Sequence, residues 1–221
     1  RVLFRSLELI NIKGVNTQMK KKTLLTGILA AAMLFATGGL STVYGSETKT
    51  LADYPQYNEI VQKYYEGASA GWDISQFQEN NLCYLAGYYS DTNKLGYCLL
   101  DVDSDGTDEL FIGTTEDEGY EGMFFDMYTL TDGKVELVTT SGERDRYYLC
   151  EDNTIANEGS SSAFLSVNYY YDYKSGKLNL QDGIVNDGEL DPQNPWFYGT
   201  LDNGEDSLEP ISEGAADSIK S

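Results

Sequence analysis

The chain has 221 residues, with 36 Asp and Glu against 15 Lys and Arg, no His, and a net charge of −21. The absence of His excludes Ser-His-Asp and Cys-His catalysis and every His-ligated zinc site. The acid excess repels nucleic acid and anionic membrane surfaces and attracts divalent cations.

In chain order, the first pattern begins at Met19. Met19-Lys20-Lys21-Lys22-Thr23 is followed by an apolar run from Leu24 to Leu40 and then by small residues, with Val43-Tyr44-Gly45 ahead of Ser46. A basic start, a short apolar run and a small-residue exit predict a secretory signal peptide over 19–45. The alternative, a membrane anchor, fits less well, because Thr26, Gly27, Thr37, Gly38 and Gly39 break the run. Residues 1–18 are expected to be translated upstream sequence, since a signal peptide starts near its own Met. Residues 46–221 then form the exported part, with nine bases and 35 acids. Once the signal is removed, no membrane span is expected, and the protein is expected outside the cell.

Residues 46–54 are polar and are expected to be a disordered linker, followed by a single domain over 55–221. Tyr57, Ile60, Val61 and Tyr64 recur at helical spacing, which predicts a helix from Pro55 to about Gly67, ending by Gly71. A second helix is expected within 72–90, capped by Asp73 or Ser75. Beyond Leu95, short apolar or alternating runs are separated by turn dipeptides. Phe124–Leu130 and Val135–Val138 form a hairpin around Asp132-Gly133. Strands follow at Arg146–Cys150, Thr154–Ala156 and Phe164–Tyr171, and Lys174-Ser175-Gly176-Lys177 turns the last of these into Leu178-Asn179-Leu180. Asp182-Gly183 and Asp187-Gly188 are read as further turns, and Ser212-Glu213 as the start of a last helix. The fold class is α+β: N-terminal helices, then an antiparallel β-meander curled into an open barrel or a small sandwich.

One stretch carries a chemical signal. Asp101-Val102-Asp103-Ser104-Asp105-Gly106-Thr107-Asp108-Glu109 places acids at loop positions 1, 3, 5 and 9 and Gly at position 6. Carboxylates crowded in this way repel one another unless a hard cation with oxygen ligands neutralises them. The candidate ligands for Ca²⁺ are Asp101, Asp103, Asp105, the backbone carbonyl of Thr107, and Glu109. An EF-hand requires a bidentate Glu at position 12, where this chain has Ile112. The flanks Tyr97-Cys98-Leu99-Leu100 and Leu110-Phe111-Ile112-Gly113 read as strands, so the motif is strand–loop–strand. The plain alternative is an acidic hairpin turn around Asp105-Gly106 with solvated acids.

Leu95 to Gly113 resembles a module of uncharacterised secreted proteins from Gram-positive gut bacteria, which carry a phrase like "gYalxDiDgDGxxELiIG". Its aspartate loop is similar to that of calcium-binding integrin-type propeller repeats, the FG-GAP and VCBS class. Tyr128–Val135, Arg146–Leu149 and Asn157–Ala163 match the secreted group too, so the resemblance covers about residues 55–200. It implies export and calcium, held by Asp101, Asp103, Asp105, Thr107 and Glu109, and no activity. A single loop without a repeat at blade spacing argues against a propeller.

Other features carry less. Cys83, Cys98 and Cys150 allow one disulfide and a free thiol, or three unpaired thiols. The acids of Thr114–Glu121 read as a solvated loop. Gly159-Ser160-Ser161-Ser162-Ala163 has no nucleophile elbow and no His base. Tyr169, Tyr170, Tyr171, Tyr173, Trp196, Phe197 and Tyr198 offer rings to a sugar, but alternation sends about half of a tyrosine run to the core. Arg144 and Arg146 are expected to pair with acids. The functional expectation is a secreted, non-enzymatic calcium-binding module that meets a cell surface, a glycan or a protein ligand. The alternatives are a carbohydrate-active enzyme with two catalytic carboxylates and structural calcium, and a secreted inhibitor.

Overall fold

The computed structural model describes residues 5–6, 49–115, 122–200 and 207–220. The expected signal peptide, most of the expected upstream segment and the acidic run 116–121 lie outside the described residues.

A 3-10 turn over Pro55–Tyr57 leads into helix α1, Asn58–Ala70. Gly71 ends α1 in the left-handed conformation, φ 67°, where a residue without Cβ is favoured. The second predicted helix is broken. Helix α2 covers only Ile74–Glu79, opened by a capping box between Asp73 and Gln76, and a separate 3-10 segment covers Tyr84–Tyr89. Asn81, at φ 57°, turns the chain between them. Gly87 lets the 3-10 segment return against α2, because a Cβ there would lie 2.5 Å from the Ile74 nitrogen.

The remainder is antiparallel sheet. A two-residue strand β1, Arg5–Ser6, pairs with β2, Leu95–Leu100. There follow β3 (Glu109–Thr114), β4 (Met123–Thr131), β5 (Lys134–Thr140), β6 (Asp145–Leu149), β7 (Ile155–Ser160), β8 (Leu165–Lys174), β9 (Lys177–Asp187), β10 (Trp196–Thr200) and β11 (Glu209–Pro210). Strands pair in sequence order except at β4. Its first residues, Met123 and Phe124, pair with β6, and its later residues pair with β5. The sheet does not close, as expected for an open barrel or sandwich. Helix α3, Glu213–Lys220, follows β11. No helix among the described residues is long and apolar enough to cross a membrane.

Two of the predicted turns are tight hairpins with both central residues at positive φ: Asp132 and Gly133 at 51° and 74°, Ser175 and Gly176 at 51° and 79°. Asp182-Gly183 is not a turn. It runs through β9, with Asp182 paired to Tyr170 and Thr200 and Gly183 to Tyr169 and Gly199. Long partners on both sides supply ladder hydrogen bonds that outweigh the local turn tendency.

Strand β3 is buried at all six positions because both its faces are covered. On one face Leu110 and Ile112 meet Tyr57, Val61, Tyr64, Phe77 and Leu85 from the helices. On the other, Phe111, Phe124 and Met127 meet Leu149, Ile155 and Tyr173, where the second half of the sheet curls over the first. Each large apolar side chain buried in this way contributes about 1.5–3 kcal/mol. Cys83, Cys98 and Cys150 are all free thiols. The curl of the sheet brings the β8–β9 turn beside the loop that joins β2 to β3.

Candidate metal centre

The acidic stretch is the connection between two adjacent antiparallel strands, the strand–loop–strand setting that its apolar flanks predict. Ser104 (φ 59°) and Gly106 (φ 94°) take the left-handed conformation and fold the loop back on itself. The Asp101 carboxylate accepts the backbone N–H of Asp105 and of Gly106, both at 3.0 Å. Asp105 accepts the N–H of Thr107 at 2.7 Å. These are local bonds that Asp side chains make in turns.

Of the five predicted ligand residues, the fold brings together the oxygens of three. Asp101, Asp103 and Glu109 each offer a carboxylate oxygen within 4.8 Å of the others. Asp105 is exposed and is not one of the three. Thr107 follows it in the loop, next to Asp108. The carboxylate of Asp108 turns away and meets Lys49 Nζ at 2.9 Å.

Glu109 is the most deeply placed acid of the three, 1% exposed. Its Oε2 accepts the Val102 N–H at 3.1 Å, and its Oε1 accepts the hydroxyls of Thr129 and Tyr173, each at 3.1 Å. Burial pushes its pKa up to about 7, against the pull of these hydrogen bonds, and the neighbouring Asp103 charge adds to the rise. Asp103 Oδ2 accepts the N–H of Ser175 at 2.9 Å, from the β8–β9 turn. Its other oxygen, Oδ1, is buried without a hydrogen-bond partner among the described residues. A depression lined by Asp103, Asp152, Asp172 and Tyr173 opens beside the loop.

A second set of contacts holds the loop from the helix side. Lys49 Nζ donates to Gly106 O at 2.6 Å and to Tyr54 Oη at 2.8 Å, besides its ion pair with Asp108. Tyr54 Oη accepts the Asp108 N–H at 2.8 Å, and the Tyr57 hydroxyl donates to Asp108 O at 3.0 Å. The Tyr54 hydrogen bond, then the one to Asp108, hold the Lys49 ammonium above its ordinary pKa. Residues 46–54 were expected to be a disordered linker. From Lys49 onward the segment is instead fastened to the loop, and Asp53 accepts the N–H and hydroxyl of Thr50.

Sequence reasoning missed Thr129, Tyr173, Ser175 and Lys49. They lie 20, 64, 72 and 59 residues from their partners Glu109, Glu109, Asp103 and Asp108 respectively. Only the alternation of the tyrosine run hinted that some of its members face inward. No protein-family model, no curated protein and no solved structure matches this chain.

Proposed function

We propose that the protein is a secreted, non-enzymatic binding module whose acidic loop takes one Ca²⁺. The observation that carries the cation is the convergence of Asp101, Asp103 and Glu109. Asp103 Oδ1 is buried and unpartnered within that cluster, whereas Asp126 Oδ1, also unpartnered, belongs to no such cluster among the described residues. Three carboxylates at this separation repel strongly where water is excluded. Lys49, the base hydrogen-bonded to the loop, spends its bonds on Asp108, Gly106 and Tyr54. Lys174 lines the depression beside Asp103 without an ion pair to it among the described residues. The donors are hard oxygens with no thiol or imidazole among them, a set suited to Ca²⁺. Asp105 and the Thr107 carbonyl complete the proposed ligand set. Such a cation links β2–β3 to the β8–β9 turn through Asp103, and so fastens the curl of the sheet. Secretion rests on the signal-like segment 19–45 and on the resemblance to secreted gut-bacterial proteins.

The glycosidase reading gains no support. Glu109, whose pKa burial raises, lies beneath Thr129 and Tyr173 rather than in an aromatic cleft. Calorimetric titration with Ca²⁺, with melting curves in Ca²⁺, Mg²⁺ and EDTA, tests the proposal. Binding heat and a Ca²⁺-dependent rise in melting are expected. A flat titration together with superimposed melting curves rules the cation out.

A further inference from the structure

The outer face of β6–β9 has a composition unlike the rest of this acidic chain. Cross-strand register aligns Arg146, Glu158, Asn168, Ile184 and Tyr198 in one row on this face. A parallel row carries Tyr148, Ala156, Tyr170, Asp182 and Thr200. The helices cover β2–β4 on this side, and α3 contacts β10. Between them lies an open trough of about 400 Å³, a volume in the range of small-ligand sites.

Residues 46–221 hold only nine bases. Three of them, Arg144, Arg146 and Lys220, line this trough beside two acids, Glu143 and Glu158, and they include both arginines of that part of the chain. Glu143 accepts the Tyr88 hydroxyl. Arg144 is exposed and makes no ion pair among the described residues. Lys220 is held by Asp217 at 2.9 Å and stands 4.7 Å from the centre of the Trp196 ring. Glu158 accepts the Tyr148 hydroxyl at 3.1 Å. Ser166 and Asn168 on the floor add groups that both donate and accept hydrogen bonds.

We propose that this trough binds a carboxylated pyranose, as a uronate or a sialate. A guanidinium pairs with a planar carboxylate through two parallel hydrogen bonds, which favours Arg144 as the anion's partner. Glu158, Ser166 and Asn168 meet ring hydroxyls, and Val167 and Gly159 supply the apolar part of the lining. An acidic peptide fits less well. Strands β7 and β8, which floor the trough, have a paired strand on each side, so they present no free edge to take up an extended chain. The ligand class rests on the reading of this protein as a binding module and is independent of the cation.

The test is calorimetric titration of the full chain with oligogalacturonate and with sialyllactose, in Ca²⁺ and in EDTA, with lactose and polyglutamate as controls. At least one carboxylated sugar should bind in both buffers, more weakly at high salt, while lactose and polyglutamate do not. Arg144→Gln should weaken binding about tenfold or more and leave melting unchanged. The two sugars separate a uronate source from a sialate source. The proposal is overturned by no binding at about 10 mM of either sugar, a ligand far above ordinary recognition affinities. Equal binding of lactose or polyglutamate, or binding indifferent to Arg144→Gln, also overturns it. Sugar binding without a calcium response removes the cation alone, and a calcium response without sugar binding removes the trough alone.

Discussion

Two carboxylates in this protein are equally buried, each accepts three hydrogen bonds, and they sit in opposite electrostatic surroundings. At Asp126 all three bonds fall on Oδ2, and Oδ1 is buried without a hydrogen-bond partner among the described residues. Glu109 accepts two hydroxyls, Thr129 and Tyr173, and one backbone N–H, Val102. Asp126 likewise accepts two hydroxyls, Tyr64 at 2.5 Å and Tyr128 at 2.7 Å, and one backbone N–H, Cys83 at 3.3 Å. Each has burial of 2% exposure or less. Around Asp126 the partners are uncharged and come from α1, from Cys83 just before the 3-10 segment Tyr84–Tyr89, and from β4, so the group ties the helices to the sheet. Burial, then the Asp126 charge, holds the Tyr64 and Tyr128 hydroxyls in their protonated, donating form. Around Glu109 two more carboxylates stand within reach. Three hydrogen bonds to a buried carboxylate therefore make a structural tie in one place and a candidate cation site in the other, and a buried oxygen without a partner occurs in both places, Asp126 Oδ1 and Asp103 Oδ1. The number of hydrogen bonds does not separate the two; the neighbouring charges do.

The sharpest break between them is expected at Asp126. Asp126→Ala removes a buried acceptor and strands two hydroxyls and an N–H, at a cost of about 3 kcal/mol or more. Urea denaturation should show the same loss in Ca²⁺ and in EDTA. A loss confined to Ca²⁺ would mean that Asp126 belongs with the cation after all.

Asp103→Asn comes next. With Ca²⁺ at a hundred times its dissociation constant, the wild-type protein gains about 2.7 kcal/mol, a rise of roughly 5–10 °C in melting. The variant should lose that rise. In EDTA it should melt no lower than wild type, because it removes one of three repelling charges.

Glu109→Gln sharpens the contrast through pH. The Glu109 pKa stands at about 7 in the folded protein against an ordinary 4.5. The raised value means that the folded state holds the proton more tightly. Without cation, this group therefore costs nothing below about pH 4.5, and its penalty grows to full size as pH rises through 7. The full penalty is ~3 kcal/mol, and the hydrogen bonds that Gln cannot replace offset part of it. Melting of Glu109→Gln in EDTA should match wild type at low pH and exceed it by ~1–2 kcal/mol at pH 8. Ca²⁺ affinity of wild type should rise with pH through the same interval, since the cation competes with a proton. A pH-independent affinity would place the metal, if any, away from Glu109.

Two smaller effects complete the comparison. Tyr173→Phe deletes one donor to Glu109, costing ~1 kcal/mol and changing Ca²⁺ affinity, whereas Tyr64→Phe should lower stability and leave that affinity alone. Lys49→Met opens a partly exposed ion pair, 34% exposed on the lysine side. It should cost under ~1 kcal/mol and leave the melting response to Ca²⁺ in place.

The hairpins were legible because their information is local. Asp132-Gly133 and Ser175-Gly176 accept positive φ, and apolar strands flank both. Asp182-Gly183 has the same kind of turn signal and fails, because two long strands already flank it in register. The helix expected within 72–90 fails for a related reason. Asn80 and Asn81 break it locally, and packing against the sheet fixes the pieces. The tyrosine run was legible only as an alternation. Tyr171 and Tyr173 pack inward, while Tyr170 takes the outer face with Tyr148.

By itself the sequence determined the order of helices and strands, the position of the acidic loop between two strands, and the spacing of its carboxylates. These follow from short-range backbone preference and from the two-residue period of a strand. Only the tertiary structure decided which acids converge. Asp101, Asp103 and Glu109 meet, Asp108 turns to Lys49, and Asp126, which no spacing rule marks, becomes the second buried carboxylate. Burial and charge neighbourhood depend on residues as far apart as Glu109 and Tyr173, and those become neighbours only when the sheet curls.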